Sequence, residues 1–317
     1  MNEMMKAIVY EKYGPPEVLH LKEVEKPEPK ENEVLVKIYA TTVTIGDSRM
    51  RSFTVPKAQW LFARLYLGIF SPRRKILGME LAGVVEAVGG KVTRFKAGDP
   101  VFASTFESDF GGYAEYKCFP ENGALAIKPT NISFGDAAAS VGAAETALRF
   151  LYNTNIQAGQ EILIYGASGA VGSNAVQLAC NLFDAKVTAV CSTSNLGWVK
   201  DLGADRVLDY TSEDFILEEQ SYDVFFDAVA KYPQKNAHKA LKPGGIYLNV
   251  HNDANAKTKL THLQELERVK ELLESGKFKP VIDQVFTMDQ IIEAHRYVEK
   301  GHKKGNVVIT VLASTNE

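Results

Sequence analysis

The sequence predicts an α/β protein with two domains, one a mostly antiparallel β domain and the other a doubly wound parallel sheet. Three observations support this fold class. Residues 1 to about 125 are rich in strand patterns, later strands alternate with helices, and a glycine-rich turn joins one strand to a helix. With 317 residues and 45% hydrophobic content, the chain can bury two cores.

The strand patterns of the first domain are short and separated by turns. They cover 7–10, 19–24, 34–43, 83–88 and 113–118, with turns at Gly14-Pro15-Pro16 and Gly98-Asp99-Pro100. An apolar window at 60–70 is interrupted by Arg64 and is shorter than the roughly 20 residues that cross a bilayer. This window predicts an ordinary packed helix or a flap near a cleft.

The second domain follows Pro129, where Ser133 can cap a helix whose apolar positions run to Leu148. Predicted strands at 162–165, 186–191, 206–208, 224–226 and 246–250 alternate with helices, including 197–202 and 234–241. An amphipathic helix at 260–273 ends at Gly276, and strands at 280–286 and 307–311 flank a helix at 289–300. The sequence therefore predicts two domains. The β domain consists of residues 1–125 together with 276–317, and the parallel-sheet domain consists of residues 126–275.

The glycine-rich turn is the chemically informative stretch of the second domain. It follows the apolar run 162–165 and precedes a helical apolar pattern that begins at Val171. Gly169 would let backbone amides approach a pyrophosphate, and Gly172 would let the helix pack closely on its strand. A bare structural turn is the alternative for so short a pattern. The predicted dinucleotide site comprises Gly166, Ala167, Ser168, Gly169, Ala170, Val171 and Gly172.

Composition argues against several classes of protein. The 36 basic and 39 acidic residues give a net charge of -3, which offers no broad basic surface, so neither nucleic acid nor a membrane is an expected partner. Cys118, Cys180 and Cys191 fall singly, without the spacing of a metal cage or a disulfide framework. No export signal is visible before Ala7, so we expect a reducing, cytoplasmic location.

A series of short motifs extends over nearly the full length of the chain. The motifs are Gly14-Pro-Pro-Glu-Val-Leu19, Leu77-Gly-Met-Glu-Leu-Ala-Gly-Val-Val-Glu-Ala-Val-Gly89, Gly98-Asp99, Gly111-Gly-Tyr-Ala-Glu115, Gly166-Ala-Ser-Gly-Ala-Val-Gly172, Leu202-Gly-Ala-Asp205, Lys242-Pro-Gly-Gly245 and Gly276-Lys-Phe-Lys-Pro280. Together they resemble the zinc-independent, quinone oxidoreductase-like branch of the medium-chain dehydrogenase/reductase superfamily. The resemblance implies a GroES-like β catalytic domain, a Rossmann domain and an NAD(P)H-dependent reductase whose site lies in the cleft between them.

The sequence departs from the zinc-containing members of that superfamily. Their ligand positions correspond to Asp47, to Met79-Glu80 and to the stretch 141–144, which leaves no ligand set with open catalytic geometry. The cysteine cluster of their structural zinc is absent as well, so we expect no zinc. A homodimer is possible, but the family's strand after His251, where two subunits can pair, is missing from this sequence.

The end of the second strand of the Rossmann domain bears on the choice of cofactor. Folds that select NAD usually place an acid there, about 20 residues after the glycine loop, whereas 190–195 contains none. Ser192, Thr193 and Asn195 can instead donate hydrogen bonds to a 2′-phosphate, which favours NADPH over NADH. By family position Tyr210 lies along the adenosine phosphate, although a plain sheet-edge tyrosine would need no such role.

The resemblance also implies the acceptor and the residues near it. In relatives without zinc, hydride goes to an electron-poor carbon of a quinone or an α,β-unsaturated carbonyl. Thr44 and Asp47 are the candidates for lining the acceptor pocket, and a helix cap is the alternative role for Asp47. By family position Thr146 lies near the nicotinamide, or else serves helix packing, and Asn306 lies on a loop that reaches the cofactor.

Two functions remain open from the sequence. The first is an NADPH-dependent reductase of quinones or activated alkenes, acting on a small-molecule substrate. The second is an NADPH-binding sensor or partner-binding protein with little turnover. Phe53 favours the second, since it stands where several relatives carry a tyrosine and can donate no proton. The scattered histidines are expected at surface or packing positions.

Overall fold

The computed structural model describes residues 3–55, 60–212, 217–251 and 260–312. They form two compact units, Met1–Gly142 with Ile282–Glu317, and Ala143–Val281. The strands are β1 (Met4–Val9), β2 (His20–Glu25), β3 (Glu33–Thr42), β4 (Glu80–Val88), β5 (Pro100–Ser104), β6 (Tyr116–Pro120), β7 (Leu125–Ile127), β8 (Glu161–Tyr165), β9 (Lys186–Cys191), β10 (Arg206–Asp209), β11 (Tyr222–Asp227), β12 (Leu241–Asn249), β13 (Ile282–Thr287) and β14 (Asn306–Thr310). The helices are α1 (Ile45–Ser52), α2 (Trp60–Leu67), α3 (Phe134–Ala139), α4 (Gly142–Thr154), α5 (Ala170–Asn181), α6 (Leu196–Asp201), α7 (Gln234–Ala240), α8 (His262–Glu274) and α9 (Ile291–Glu299).

The first unit is built on a seven-stranded sheet of order β13-β14-β3-β4-β5-β7, with β6 also paired to β3. All of its pairs are antiparallel except β13 with β14. Val34, Val36 and Ile38 alternate along β3 and are buried in one core, as the two-residue period of a strand requires. A separate antiparallel pair, β1 and β2, completes the strands of this unit. The predicted β domain is confirmed.

The second unit is a parallel sheet of order β10-β9-β8-β11-β12. Numbered from β8, this is the order 3-2-1-4-5 of a Rossmann sheet, which confirms the predicted fold class. Residues 162–164 of β8 are fully buried, as expected for a central parallel strand covered on both faces. The chain first builds strands to one side of β8 and then to the other, so the crevice of this fold lies at the end of β8.

The helix predicted from Ser133 to Leu148 is two helices. Ser133 caps α3 in a capping box with Asp136, but α3 ends at Ala139, and the Ser140 hydroxyl donates to the Asp136 carbonyl at 2.7 Å. The Gly142 N–H donates to the Glu80 carboxylate at 3.0 Å, where α4 begins. Because α3 contacts β3, β4 and β14, the first unit extends to residue 142, whereas the sequence places the boundary at 125.

The predicted helix at 60–70 forms as α2, but no residue of α2 is buried. The expectation of an ordinary packed helix is therefore wrong, and the apolar side chains of this segment face outward. Across 3–55, 60–212, 217–251 and 260–312, no helix is long and apolar enough to cross a membrane.

Candidate dinucleotide site and candidate active site

The glycine turn after β8 depends on two of its glycines. Gly166 has a φ of +80°, and a Cβ there would lie 2.6 Å from the Val229 side chain. A Cβ at Gly172 would lie 2.2 Å from the Gly166 carbonyl oxygen, closer than any real contact. At Gly169, by contrast, the nearest atom to a Cβ would be 3.5 Å away, which is ordinary contact. Gly172 thus brings α5 against the turn, while the surface at Gly169 is open.

The N-terminus of α5 offers unsatisfied backbone donors. Gly169 is the N-cap, and within the described ranges no side chain makes a capping hydrogen bond there, nor does the first turn carry an acid. Residues 168–171 are partly exposed, whereas Ala167 and Gly172 are buried. The first N–H groups of a helix lack intrahelical partners and lie at the positive end of its dipole. This turn is therefore suited to hold a phosphate group.

Two of the residues predicted to bind the 2′-phosphate, Ser192 and Asn195, lie just after the end of β9. The Asn195 amide donates to the Ser192 hydroxyl at 2.9 Å, and its oxygen accepts from the Trp198 indole at 2.9 Å. Asn195 is only 9% exposed. These bonds hold the Asn195 side chain within the loop, so Ser192 is the better placed of the two to meet a ligand.

A carboxylate, that of Asp209, lies beside the end of β9. The Thr193 hydroxyl donates to Asp209 Oδ2 at 2.5 Å, and Asp209 Oδ1 accepts from the backbone and the hydroxyl of Thr211. The hydrogen bonds from Thr193 and Thr211 lower the pKa of Asp209, so it is a carboxylate at neutral pH. The stretch 190–195 itself contains no acid, and Asp209 comes from the neighbouring strand β10, where it pairs with Cys191.

Tyr210 lies at the same edge of the sheet. Its backbone N–H donates to the Cys191 carbonyl at 3.1 Å, its side chain is 44% exposed, and its ring lies 5.8 Å from that of Tyr165. Tyr210 therefore presents a ring beside the last residue of β8. Lys200, the first cation after 190–195 in the sequence, donates to the carbonyls of Ala204 and Asp205 at 2.7 Å each.

The two remaining cofactor candidates lie in different units. Thr146 is partly buried in the first turns of α4, in the unit of the glycine turn. Asn306 is 6% exposed, begins β14 and is paired with Ile282 in the other unit.

Thr44 and Asp47 form a capping box at the start of α1. The Asp47 N–H donates to Thr44 Oγ1 at 3.1 Å, while Asp47 Oδ2 accepts from the Thr44 N–H at 3.0 Å and from its hydroxyl at 2.6 Å. Asp47 Oδ1 accepts from the Gly78 N–H at 3.0 Å. Asp47 is fully buried, and burial raises its pKa to about 6. Thr44 is partly exposed, so only its side chain in this pair can reach a ligand.

A buried polar chain continues behind Asp47. Tyr113, which also interacts with the Asp47 carboxylate, places its hydroxyl 3.3 Å from His295 Nε2, and His295 Nδ1 lies 3.3 Å from the Ser48 hydroxyl. Burial raises the pKa of Tyr113 well above its usual range and lowers the pKa of His295 to about 3, with a contribution from Arg51. His295 is therefore neutral at pH 7 and serves the core of the unit.

The positions that correspond to zinc ligands are engaged in hydrogen bonds. Glu80 is buried, with one carboxylate oxygen 2.6 Å from the Thr42 hydroxyl and the other 3.0 Å from the Gly142 N–H. Met79 places its sulfur 3.5 Å from Thr44 Oγ1. Both oxygens of Asp47 also accept hydrogen bonds. The carboxylate oxygens of Asp47 and Glu80 and the sulfur of Met79 thus all have hydrogen-bond partners within the protein.

A separate cluster in the second unit has metal-ligand spacing. It consists of Glu145, His262 and Glu265, whose donor atoms lie within 4.8 Å of one another. Arg149 donates to both carboxylate oxygens of Glu265, at 3.0 and 2.6 Å, and its guanidinium lies 3.2 Å from His262 Nδ1. Arg149 thus binds Glu265 and lies beside His262, which makes this group an ion-pair network.

Two family models match the chain. Residues 30–129 match the alcohol dehydrogenase GroES-like domain, and residues 202–309 match a domain described as zinc-binding dehydrogenase. The first range lies within the first compact unit, and the second range covers parts of both units.

Curated relatives and solved structures match over nearly the whole chain. A 2-methylene-furan-3-one reductase of Solanum lycopersicum is 37% identical, over 96% of this chain and 79% of the relative. An NADPH-dependent alkenal/one oxidoreductase of Arabidopsis thaliana, described as chloroplastic, is 35% identical over the same shares. The structure of a quinone oxidoreductase from Coxiella burnetii superposes with a TM-score of 0.83 at 27% identity, covering 98% of this chain and all of that one.

Proposed function

The chain belongs to the quinone oxidoreductase-like branch of the medium-chain dehydrogenases/reductases, and on that premise we propose that it reduces quinones or α,β-unsaturated carbonyls with NADPH. The observation that carries the proposal is the uncapped N-terminus of α5 behind a turn that requires glycine at 166 and 172. Bound there, the dinucleotide supplies the hydride. The chain's own residues bind its phosphates and position the acceptor.

We further propose that Thr44 holds the acceptor oxygen and that Asp47 positions Thr44. At neutral pH the Thr44 hydroxyl donates to Asp47 Oδ2. When Asp47 is protonated, it can donate to Thr44 Oγ1 instead, and the Thr44 hydrogen is then free to bind an oxygen of the substrate. Because the pKa of Asp47 is raised to about 6, this form grows as pH falls through that value. Thr44→Val should lower turnover with little change in the affinity for NADPH.

We propose that this chemistry needs no zinc. The support is that the carboxylates of Asp47 and Glu80 already accept hydrogen bonds from N–H and hydroxyl groups, and that Met79 replaces a nitrogen ligand of zinc-dependent relatives. The protein ligands of zinc are Cys thiolate, His nitrogen and Asp or Glu oxygen, and a methionine thioether is not among them. Metal analysis of the purified protein, and assays with and without a chelator, test this point.

The preference for NADPH over NADH is also a proposal. The relative from Arabidopsis thaliana is named as NADPH-dependent, and the Ser192 hydroxyl can donate to a 2′-phosphate. Asp209 acts in the opposite direction, since its negative charge lies beside Thr193. We therefore propose a moderate rather than an absolute preference. We also propose a reducing compartment such as the cytoplasm, supported by three free cysteines.

The decisive experiment is a panel of quinones and enals, with oxidation of NADPH and NADH followed in parallel and with a chelator control. We expect turnover with quinones or enals, faster at low NADPH than at equal NADH, and unchanged by the chelator. Tight NADPH binding without turnover on any acceptor would contradict the proposed reaction and favour a nucleotide sensor.

A further inference from the structure

The segment 60–70 presents a large apolar surface to solvent. We define its apolar face as six residues with the following exposed fractions: Leu61 68%, Phe62 75%, Leu65 52%, Tyr66 46%, Ile69 49% and Phe70 96%. The positions 61, 62, 65 and 66 repeat at helical spacing and so lie on one side of α2, and Ile69 and Phe70 follow its end. Contiguous apolar surface of this kind marks an interaction site.

The opposite side of α2 is held to the protein by a cation. The Arg64 guanidinium lies 3.8 Å from the centre of the Phe53 ring, 4.9 Å from that of Tyr13 and 5.3 Å from that of Trp60. It also donates to the Ile69 carbonyl at 3.2 Å. An ordinary surface helix turns its charges outward and its apolar stripe inward. Here the cation faces the protein and the apolar face is turned to solvent.

The charged residues of the sequence around this face are all basic. Residues 48–79 contain seven basic and no acidic residues, although the whole chain has a net charge of -3. Arg73 and Lys75 are exposed, whereas Arg74 pairs with Asp109 and lies over the Tyr66 ring at 4.8 Å. The net charge of the whole chain predicts no basic surface, but the segment 48–79 forms a local one.

A groove of about 510 Å³ adjoins this basic run. Arg73, Arg74 and Lys75 line it together with Lys117, and the acids on its wall are Glu25 and Asp109. Four cations thus face two carboxylates, and one of those carboxylates already pairs with Arg74. The groove has an excess of positive charge next to the apolar face.

We propose that the apolar face and the basic run together dock the protein on the surface of an anionic lipid bilayer. In this mode α2 lies in the plane of the interface, its apolar face enters the boundary between head groups and acyl chains, and Arg73 and Lys75 meet lipid phosphates. A bilayer supplies both the apolar interior and the negative surface that this region lacks. A two-fold contact through this face would instead bring together two surfaces that each carry an excess of positive charge.

Vesicle binding of the full chain tests the proposal. Flotation is measured with vesicles of phosphatidylcholine alone and of phosphatidylcholine with phosphatidylglycerol, at low and high salt. We expect binding to the anionic vesicles that weakens in salt, because the electrostatic part is screened.

Two double variants separate the apolar from the electrostatic part. Phe62→Ser/Phe70→Ser should lower partition into anionic vesicles roughly tenfold or more. Arg73→Gln/Lys75→Gln should lower it about fivefold for each cation removed. The matched controls are Lys235→Gln/Lys239→Gln, which removes two exposed lysines of α7, and Val285→Ser, which removes an exposed apolar side chain. Neither control should change vesicle binding.

Three results would overturn the proposal. They are absence of binding to either vesicle, equal binding by the parent and by Phe62→Ser/Phe70→Ser, and equal binding to both lipid compositions with no effect of Arg73→Gln/Lys75→Gln. Sedimentation is run alongside. A dimer of the parent chain that Phe62→Ser/Phe70→Ser dissociates, in the absence of vesicle binding, would assign the face to a second copy. Circular dichroism of each variant verifies that it is folded.

Discussion

The N-termini of α1 and α5 make an instructive comparison, because each helix begins shortly after a strand of its own unit. At α1, Thr44 and Asp47 satisfy the first N–H groups with their own side chains. At α5, Gly169 provides no side chain, and the first turn carries no acid. Every helix start needs partners for its first N–H groups. A helix N-terminus that is capped by its own carboxylate has a structural role, whereas an N-terminus without such a cap can bind an anionic group of a ligand.

The residues around the two helix N-termini also differ. Asp47 is fully buried and linked to Gly78 and Tyr113 inside the core, so the α1 end cannot move without breaking several hydrogen bonds. The α5 end is formed by backbone, with close approach only at Gly166 and Gly172. We therefore expect changes at α5 to alter nucleotide binding, and changes at α1 to alter stability and turnover.

The largest effect is expected from Gly172→Ala. The new methyl would lie 2.2 Å from the Gly166 carbonyl oxygen, a backbone atom that cannot rotate away. We expect the free energy of unfolding to fall by about 3 kcal/mol and NADPH affinity to be lost, since the α5 end must shift. Urea unfolding and fluorescence titration with NADPH measure the two effects. Gly197→Ala on α6, where a Cβ meets nothing within 4 Å, is the control and should leave both unchanged or slightly raise stability. Equal behaviour of the two variants would contradict the close approach at Gly172.

Asp47→Ala should affect the other helix end. The variant leaves the N–H groups of Gly78 and Thr44 and the Thr44 hydroxyl without their acceptor at a buried site. Because the variant also no longer has to bury a carboxyl group, we expect the free energy of unfolding to fall by only about 2 kcal/mol. We also expect lower turnover with little change in NADPH affinity. The control is Asp136→Ala, which breaks the corresponding capping box of α3 at a partly exposed site and should cost about 1 kcal/mol. An unchanged turnover of Asp47→Ala would remove Asp47 from the mechanism.

The buried histidine behind α1 should make stability depend on pH. The folded pKa of His295 is about 3, below its ordinary value of about 6.5, so its contribution is present above pH 6.5 and is lost as pH falls. Asp47 acts in the opposite direction, because its raised pKa favours the folded state at low pH and this contribution is lost as pH rises towards 6. His295→Gln should remove the first contribution alone.

The measurement is the difference in unfolding free energy between the parent and His295→Gln at several values of pH from 6.5 to 4. The parent should lose about 1 kcal/mol more than the variant for each unit of pH in this range. Parallel pH dependences of the two proteins would show that His295 is not held neutral by the core.

The smallest effect is expected from Asp209→Asn. Removing this charge from beside Thr193 should raise the preference for NADPH over NADH about fivefold, which corresponds to about 1 kcal/mol. The selectivity is the ratio of kcat/KM for the two cofactors. Asp201→Asn, at an exposed position of α6, is the control and should leave the ratio unchanged. An unchanged ratio for Asp209→Asn would show that Asp209 does not face the 2′ position.

Local patterns predicted the scaffold well. The apolar run of β8, the glycine spacing and the helical pattern of α5 are adjacent in the sequence, so their chemistry could be predicted together. The predicted bounds of β9, 186–191, are those of the structure. Strands β5 and β7 were missed, because β5 begins with a proline and β7 has only three residues.

Contacts between distant segments could not be predicted. Asp209 meets Thr193 only because β10 pairs with β9. The Glu80 carboxylate meets the Gly142 N–H across 62 residues, at the point where the predicted single helix divides into α3 and α4. The outward direction of the apolar face of α2 depends on Arg64 and the rings of Tyr13 and Phe53, which helical spacing alone does not indicate.

The most direct test of the difference between the two helix ends is a crystal structure of the protein with NADP⁺. We expect the pyrophosphate oxygens within hydrogen-bond distance of the backbone N–H groups at residues 170 and 171, with Asp47 still bonded to Thr44 and Gly78. A nucleotide bound elsewhere while this turn stays empty, or a zinc ion held between Asp47 and Glu80, would contradict the account.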